Sequence, residues 1–129
     1  MGKKLIIVGT GLFPEVSRCY FEELTNYKVI AFACHDRYKK SNVCYGLPLL
    51  SIETLSENYP PGATEVFVSI GYKKMNKMRQ AVYEELKKMG YVFATFVHPG
   101  VKVWDSTEIG ENVFIFEDNT IQPFTKIGS

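Results

Sequence analysis

Histidine and cysteine are scarce in this sequence, its charge is nearly balanced and it holds no long hydrophobic run. Each shortage closes off a class of function. No two of Cys19, Cys34 and Cys44 have the C-x-x-C spacing of a zinc or redox site, and Cys34, His35 and Cys44 together leave a metal site incomplete. Reduced, packed thiols and no metal are the expectation. Fifteen basic and 14 acidic residues give a net charge of +1, which provides no electrostatic reason to expect nucleic acid or an anionic membrane as partner. The apolar run Leu5 to Val8 near the start is too short for a signal-peptide core or a membrane span. No membrane insertion is expected, and the cytoplasm is the default location.

What is present is most distinctive in the last third. Aliphatic residues recur every six positions, at Val97, Val103, Ile109, Ile115, Ile121 and Ile127. A helix needs a period of about 3.6 and a strand a period of about 2, so neither explains this spacing alone. Six is the repeat of the hexapeptide parallel β-helix, in which a short strand and a turn form one side of a three-sided coil and the aliphatic residue points inward. Small or β-branched residues four places on (Val101, Thr107, Val113, Thr125) and turn formers at Gly110, Asp118 and Gly128 fit the same pattern. The stretch supplies fewer than two coils, whereas about three or more repeating units are expected for stability. The expectation is therefore of a fragment that stops in mid-repeat.

The 129 residues leave room for one domain of about 100 residues ahead of that appendage. Lys4 to Val8, closed by Gly9-Thr10-Gly11, reads as a buried parallel strand. Pro14 to Leu24 places Val16, Cys19 or Tyr20, and Leu24 on one helical face, with Pro14 and Glu15 suited to its first turn. Tyr27 to Ala33 is a second apolar run, so the order is that of a βαβ unit. Tyr38 to Leu50 is expected to be a loop with at most a short strand, and Ser51 to N-cap a short helix through Glu57. Glu65 to Ile70 reads as a third buried strand and Lys73 to Met89 as the longest helix, with Gly90 as its C-cap. Tyr91 to Val97 reads as a fourth strand, and His98-Pro99-Gly100 as the joint to the repeats.

In open parallel sheets, ligands bind beyond the carboxyl ends of the strands. Gly9-Thr10-Gly11, Cys34 to Arg37 and Ser69 to Lys73 all fall at such ends. The first of these would aim the N–H groups of a helix N-terminus at a phosphate, although G-T-G-L-F-P has Pro14 where G-x-G-x-x-G has its third glycine. A tight turn without a ligand is the competing reading. Asp36 stands where a ribose or base contact would fall, or is a solvated loop carboxylate. Lys73 and Lys74 either attract an anion or form a solvated face, Arg79 suits a surface ion pair, and His98, held extended by Pro99, either braces the joint or takes part in catalysis.

KKLIIVGTG at the start, YGLPLL after the second strand, VFVSIG, and YEELKKMGYVFATFVHPGVKV running into the hexapeptides together resemble the bacterial nucleotide-sugar acyltransferases. That family is typified by sialic acid O-acetyltransferases and UDP-amino-sugar N-acetyltransferases. The resemblance implies an α/β fold: a small Rossmann-like parallel sheet with flanking helices over residues 1–97, followed by the start of a left-handed parallel β-helix over 98–129. It implies a nucleotide-sugar partner, acetyl-CoA as co-substrate of the full-length family and a homotrimer built by the β-helix. Gly9, Thr10, Gly11 and Leu12 would approach the diphosphate by backbone, Asp36 the base or ribose, and Ser69, Gly71 and Tyr72 the sugar end.

The sequence departs from the family pattern in three places. Leu12, Phe13 and Pro14 stand where the family has Gly-His-Gly, and the segment between Gly71 and Arg79 is longer than its common form. No histidine follows His98, so the general base of the β-helix is missing. This stretch is therefore expected neither to transfer acetyl by itself nor to bind acetyl-CoA well. Two other functions compete: an NAD(P)-binding module, and a structural or regulatory domain with a vestigial pocket.

Overall fold

A computed structural model describes residues 3–9, 12–69 and 76–97, and the pairs 108–109, 114–115 and 126–127. The chain divides into two compact units, Met1–Val92 and Phe93–Ser129. In the first unit, five strands form one sheet in the order β3-β4-β2-β1-β5. β1 (Lys3–Val8) lies between β2 (Tyr27–Cys34) and β5 (Glu65–Val68), parallel to both. A strand flanked on both sides and covered on both faces must be apolar throughout. Accordingly Leu5, Ile6 and Ile7 are fully buried and Val8 nearly so. The α/β class read from the sequence is the one observed.

Helix α1 (Leu12–Leu24) joins β1 to β2. Its third residue is Pro14, tolerated because the first-turn N–H groups have no partner inside the helix. Among its described side chains, Pro14, Ser17 and Phe21 are buried. This differs from the expected face, since Cys19 is exposed and Leu24 is 41% exposed. The buried face centres on Phe21 and carries a polar residue beside it: Ser17 is buried with its Oγ 2.9 Å from that of Ser69, so its hydroxyl is satisfied inside the core. Phe21 packs edge-on against Tyr27 (centroids 5.5 Å apart) and Phe67 (5.1 Å).

Tyr38 to Leu50 holds more than the expected loop. After a 3-10 turn at Asp36–Tyr38, β3 (Val43–Cys44) and β4 (Leu47–Ser51) form an antiparallel hairpin, and β4 adds to the sheet parallel to β2. The two-residue connection puts Tyr45 at φ 50°, unusual for a side chain of that size. Arg18 holds it there by donating from Nη1 to the Tyr45 carbonyl at 2.9 Å, while the Tyr45 ring meets Phe32. Ser51 also departs from expectation. It is the last residue of β4 and makes no side-chain cap, and a 3-10 turn (Ile52–Thr54) precedes the short helix α2 (Leu55–Asn58).

Helix α3 (Asn76–Lys88) buries Val82 and Leu86. It ends as expected at Gly90, whose φ of +96° lets Gly90 N–H bond Lys87 O (3.0 Å) and Tyr91 N–H bond Leu86 O (3.2 Å). The fourth strand expected over Tyr91 to Val97 is not a member of the sheet. Val92 O accepts one bond from Val66 N–H. Only Phe96–Val97 is a strand (β6), and it pairs in the second unit.

In that unit, β6 pairs in parallel with β8 (Phe114–Ile115), and β7 (Glu108–Ile109) with β9 (Lys126–Ile127). Val97 aligns with Ile115 and Ile109 with Ile127, an offset of 18 residues in both. All four are members of the period-six series.

Cys19 is exposed, Cys44 partly exposed and Cys34 buried, which corrects the expectation of packed thiols for Cys19. Burial pushes the Cys34 and Cys44 thiols above their ordinary value. A disulfide reagent at neutral pH is therefore expected to modify Cys19 quickly and Cys34 last, because the thiolate is the reacting form. Labelling and peptide mass mapping over time would show the order, and early modification of Cys34 would contradict it.

Tyr27 donates its phenol to Glu65 Oε1 at 2.6 Å. Burial, then that hydrogen bond and the Glu65 charge, hold the phenol well above its ordinary value of 10.0. Folded and unfolded chains both keep the proton below that value, and above it the unfolded chain releases the proton first. Stability should therefore fall as pH rises beyond about 10, the slope following the extra proton retained by the folded state. Tyr27→Phe should flatten that fall, which urea unfolding at pH 8 and pH 11 would measure.

Candidate functional site

The carboxyl ends of β1, β2 and β5 meet at Gly9, at Cys34 to Asp36 and at Ser69. Gly9 is buried at φ +138°, its N–H donating to Ala33 O at 2.7 Å. A Cβ there would stand 2.5 Å from Ser69 O and 3.2 Å from Pro14 Cγ. Ser69 N–H bonds Val8 O at 2.8 Å, so the end of β5 is pulled against the turn. Only glycine fits such an approach. Helix α1 begins three residues later, and its first-turn N–H groups, of which Pro14 has none, have no partner within the helix and carry the positive end of its dipole.

The other sequence-derived residues distribute unevenly around this corner. Leu12 is the first residue of α1. Thr10, Gly11, Gly71 and Tyr72, with Lys73, Lys74 and His98, lie outside the described residues. Ser69 is buried with its hydroxyl against Ser17, tying β5 to α1. Asp36 is exposed at the start of the 3-10 turn. Its Oδ1 accepts from Ser51 Oγ at 2.9 Å and its N–H donates to Glu53 Oε1 at 3.0 Å.

Two features here have no strong signal in the sequence. His35 Nε2 lies 2.8 Å from Glu85 Oε1, joining the end of β2 to α3 across 50 residues of chain. Beside this pair, a cleft of about 600 Å³ lies between Ile52, Glu53 and Ser56 on one side and Ala81, Glu84, Glu85, Lys88 and Met89 on the other. Gly9, Asp36 and Ser69 do not line it, though Glu53 and Glu85 reach from it to Asp36 and His35. Among the described residues no group of three or more His, Cys, Asp or Glu could hold a metal ion, and no helix is long and apolar enough to cross a membrane.

Residues 4–86 match the family model of the PglD N-terminal domain, nearly all of the sheet and both long helices. The chain belongs to this family. Outside the PglD N-terminal domain match, no curated protein sequence resembles it significantly. The domain is also similar to solved structures. PerB from Caulobacter crescentus, in complex with CoA and GDP-perosamine, superimposes with a TM-score of 0.80 at 23% identity over 97% of this chain. The acetyltransferase domain of PglB from Neisseria gonorrhoeae FA1090, in complex with acetyl coenzyme A, gives 0.79 at 20% identity over 99%. At such identities the likeness is one of fold. The chain spans 56% of the PerB chain and 60% of the PglB domain.

Proposed function

We propose that this chain is the nucleotide-sugar-binding part of an acetyltransferase that moves acetyl from acetyl-CoA to a sugar amine or hydroxyl in surface-polysaccharide or glycan biosynthesis. The observation that carries this reading is the Gly9 corner. A buried glycine at φ +138° is pressed against Ser69 O three residues ahead of α1, whose N-terminus offers first-turn N–H groups and the positive end of a helix dipole. Such a corner suits a diphosphate. Gly9, Thr10, Gly11 and Leu12 are assigned to it by backbone, Asp36 to the base or ribose, and Ser69, Gly71 and Tyr72 to the sugar end. Since the Ser69 hydroxyl bonds Ser17, Ser69 acts there through its main chain. The complexes of PerB with GDP-perosamine and CoA, and of PglB with acetyl coenzyme A, support the reading by analogy.

Residues 1–97 are proposed as the nucleotide-sugar domain and 98–129 as the start of a left-handed parallel β-helix that would trimerise. The 18-residue offset of the two strand pairs supports this, because three hexapeptides make one coil. Acetyl-CoA would be held by the β-helix. With no histidine after His98, residues 1–129 are expected to bind the sugar nucleotide without transferring acetyl. The cytoplasm is the proposed location.

A thermal-shift panel of UDP-, GDP- and dTDP-sugars, CMP-sialic acid, NAD(P) and acetyl-CoA tests the reading. A bound ligand at about 100 times its Kd adds roughly 2.7 kcal/mol. One class of nucleotide sugar should stabilise the chain, and Gly11→Trp should remove that shift. Stabilisation by NAD(P) alone would make this a dinucleotide module, and silence throughout would favour a vestigial pocket.

A further inference from the structure

We infer that Ser51 and Glu53 are positioning residues for Asp36, which fix its carboxylate and its backbone respectively before any ligand arrives. The inference rests on the reading above, in which Asp36 meets the base or ribose.

The geometry follows from strand pairing. β2 and β4 run parallel, and their last aligned pair is Cys34 with Ser51. This register carries Ser51 to the corner where Asp36 begins the 3-10 turn, so that Ser51 Oγ donates to Asp36 Oδ1 at 2.9 Å. A slip of β4 by one residue would turn the hydroxyl to the other face of the sheet. Two residues beyond Ser51, Glu53 accepts the Asp36 N–H at 3.0 Å. The side chain and the main chain of one exposed residue are thus tied to Ser51, at the end of β4, and to Glu53, in the 3-10 turn that follows it.

Three consequences bear on binding. An exposed aspartate held by one oxygen has fewer rotamers to lose on meeting a ligand, which lowers the ordering cost of association. The Ser51 hydroxyl uses one acceptor site on one oxygen, and a carboxylate has about four, so Asp36 is presented as an acceptor for N–H or O–H groups. Glu53 adds a second carboxylate beside Asp36, so this corner supplies acceptors, while the diphosphate is assigned to the glycine turn and the dipole of α1. The corner is built for the part of a nucleotide that offers donors.

The test is isothermal titration of the whole 129-residue chain with UDP, GDP, CDP and dTDP, together with melting of the unliganded protein. Ser51→Ala and Glu53→Ala should each weaken the best-bound diphosphate by a few-fold, up to about tenfold, the cost of ordering on binding a group that these contacts otherwise hold in place. Melting temperatures should move by no more than about 3 °C, as for other surface changes. Ser51→Thr keeps the hydroxyl and Glu53→Gln keeps an acceptor oxygen, so both should recover most of the affinity. Asp36→Asn separates the two levels of inference. If it loses affinity while both alanine variants bind like wild type, the nucleotide reading stands and the positioning role is overturned. The role also falls if the conservative variants are as weak as the alanines, or if affinity and melting temperature drop together. If Asp36→Asn binds like wild type, or wild type binds none of the four, the Asp36 assignment fails and the positioning role with it.

Discussion

Gly9→Val should remove a large part of this protein's stability. Two costs add at one atom. The backbone holds φ at +138°, a conformation that costs a residue with a side chain about 1–3 kcal/mol and a β-branched one toward the upper end. The added Cβ would stand 2.5 Å from a main-chain oxygen, Ser69 O, which moves only with the backbone of Ser69, a residue tied to Val8 O through its N–H, and not as the end of a flexible side chain would. Overpacking of this kind costs about 1–3 kcal/mol. The expected sum of roughly 4 kcal/mol compares with about 5–15 kcal/mol for the whole stability of a typical domain. Gly62→Val is the control: nothing lies within 4 Å of its Cβ position and its φ is ordinary, so a change within about 0.5 kcal/mol is expected. Urea unfolding of both variants decides the matter. A Gly9→Val protein within about 1 kcal/mol of wild type would mean that the turn moves, and the diphosphate site proposed on it would lose its fixed geometry.

Phe21→Ala should cost about 3–5 kcal/mol, the range for a fully buried phenylalanine. Phe21 has no exposed surface and is the meeting point of α1, β2 and β5 through its edge contacts with Tyr27 and Phe67. Removing the ring leaves a cavity between Tyr27, whose phenol is held by Glu65, and Phe67. For a unit of this size each kcal/mol corresponds to about 4–8 °C, so the melting temperature should drop by at least about 12 °C. Phe21→Leu, which fills part of the volume, should fall between. Val92→Ala, at a 58% exposed position, should scarcely register. A loss under about 2 kcal/mol for Phe21→Ala would show that the α1 interface collapses around the gap.

The two positions differ in how far the sequence announces them. Gly9 closes an apolar run and starts a helix, so its role in the turn is legible locally. Its opposing atom, Ser69 O, is 60 residues away in the chain and is not. Phe21 is one apolar residue among several in α1, and hydrophobic spacing favours Val16 and Leu24 as readily. Ser17 shares the buried face with Phe21, and a serine is a poor core candidate until its partner hydroxyl is known. The hairpin of β3 and β4 was missed for a related reason. A Pro-containing run after polar residues is a weak strand signal, and what makes it a strand is the open edge of β2 beside it.

The sequence by itself determined whatever depends on near neighbours. It determined the continuous burial of β1, the α/β class, the glycine that ends α3, and the six-residue spacing whose members pair 18 residues apart. The tertiary structure alone decided which face of α1 is buried, that Tyr91 to Thr95 add no strand to the sheet, and which groups hold His35, Asp36 and Ser69. The physical reason is range. Burial of a run and the capping of a helix are set by residues within a turn or two, whereas a buried hydroxyl or an exposed carboxylate is satisfied by partners 15 to 52 residues away that only the sheet register brings together.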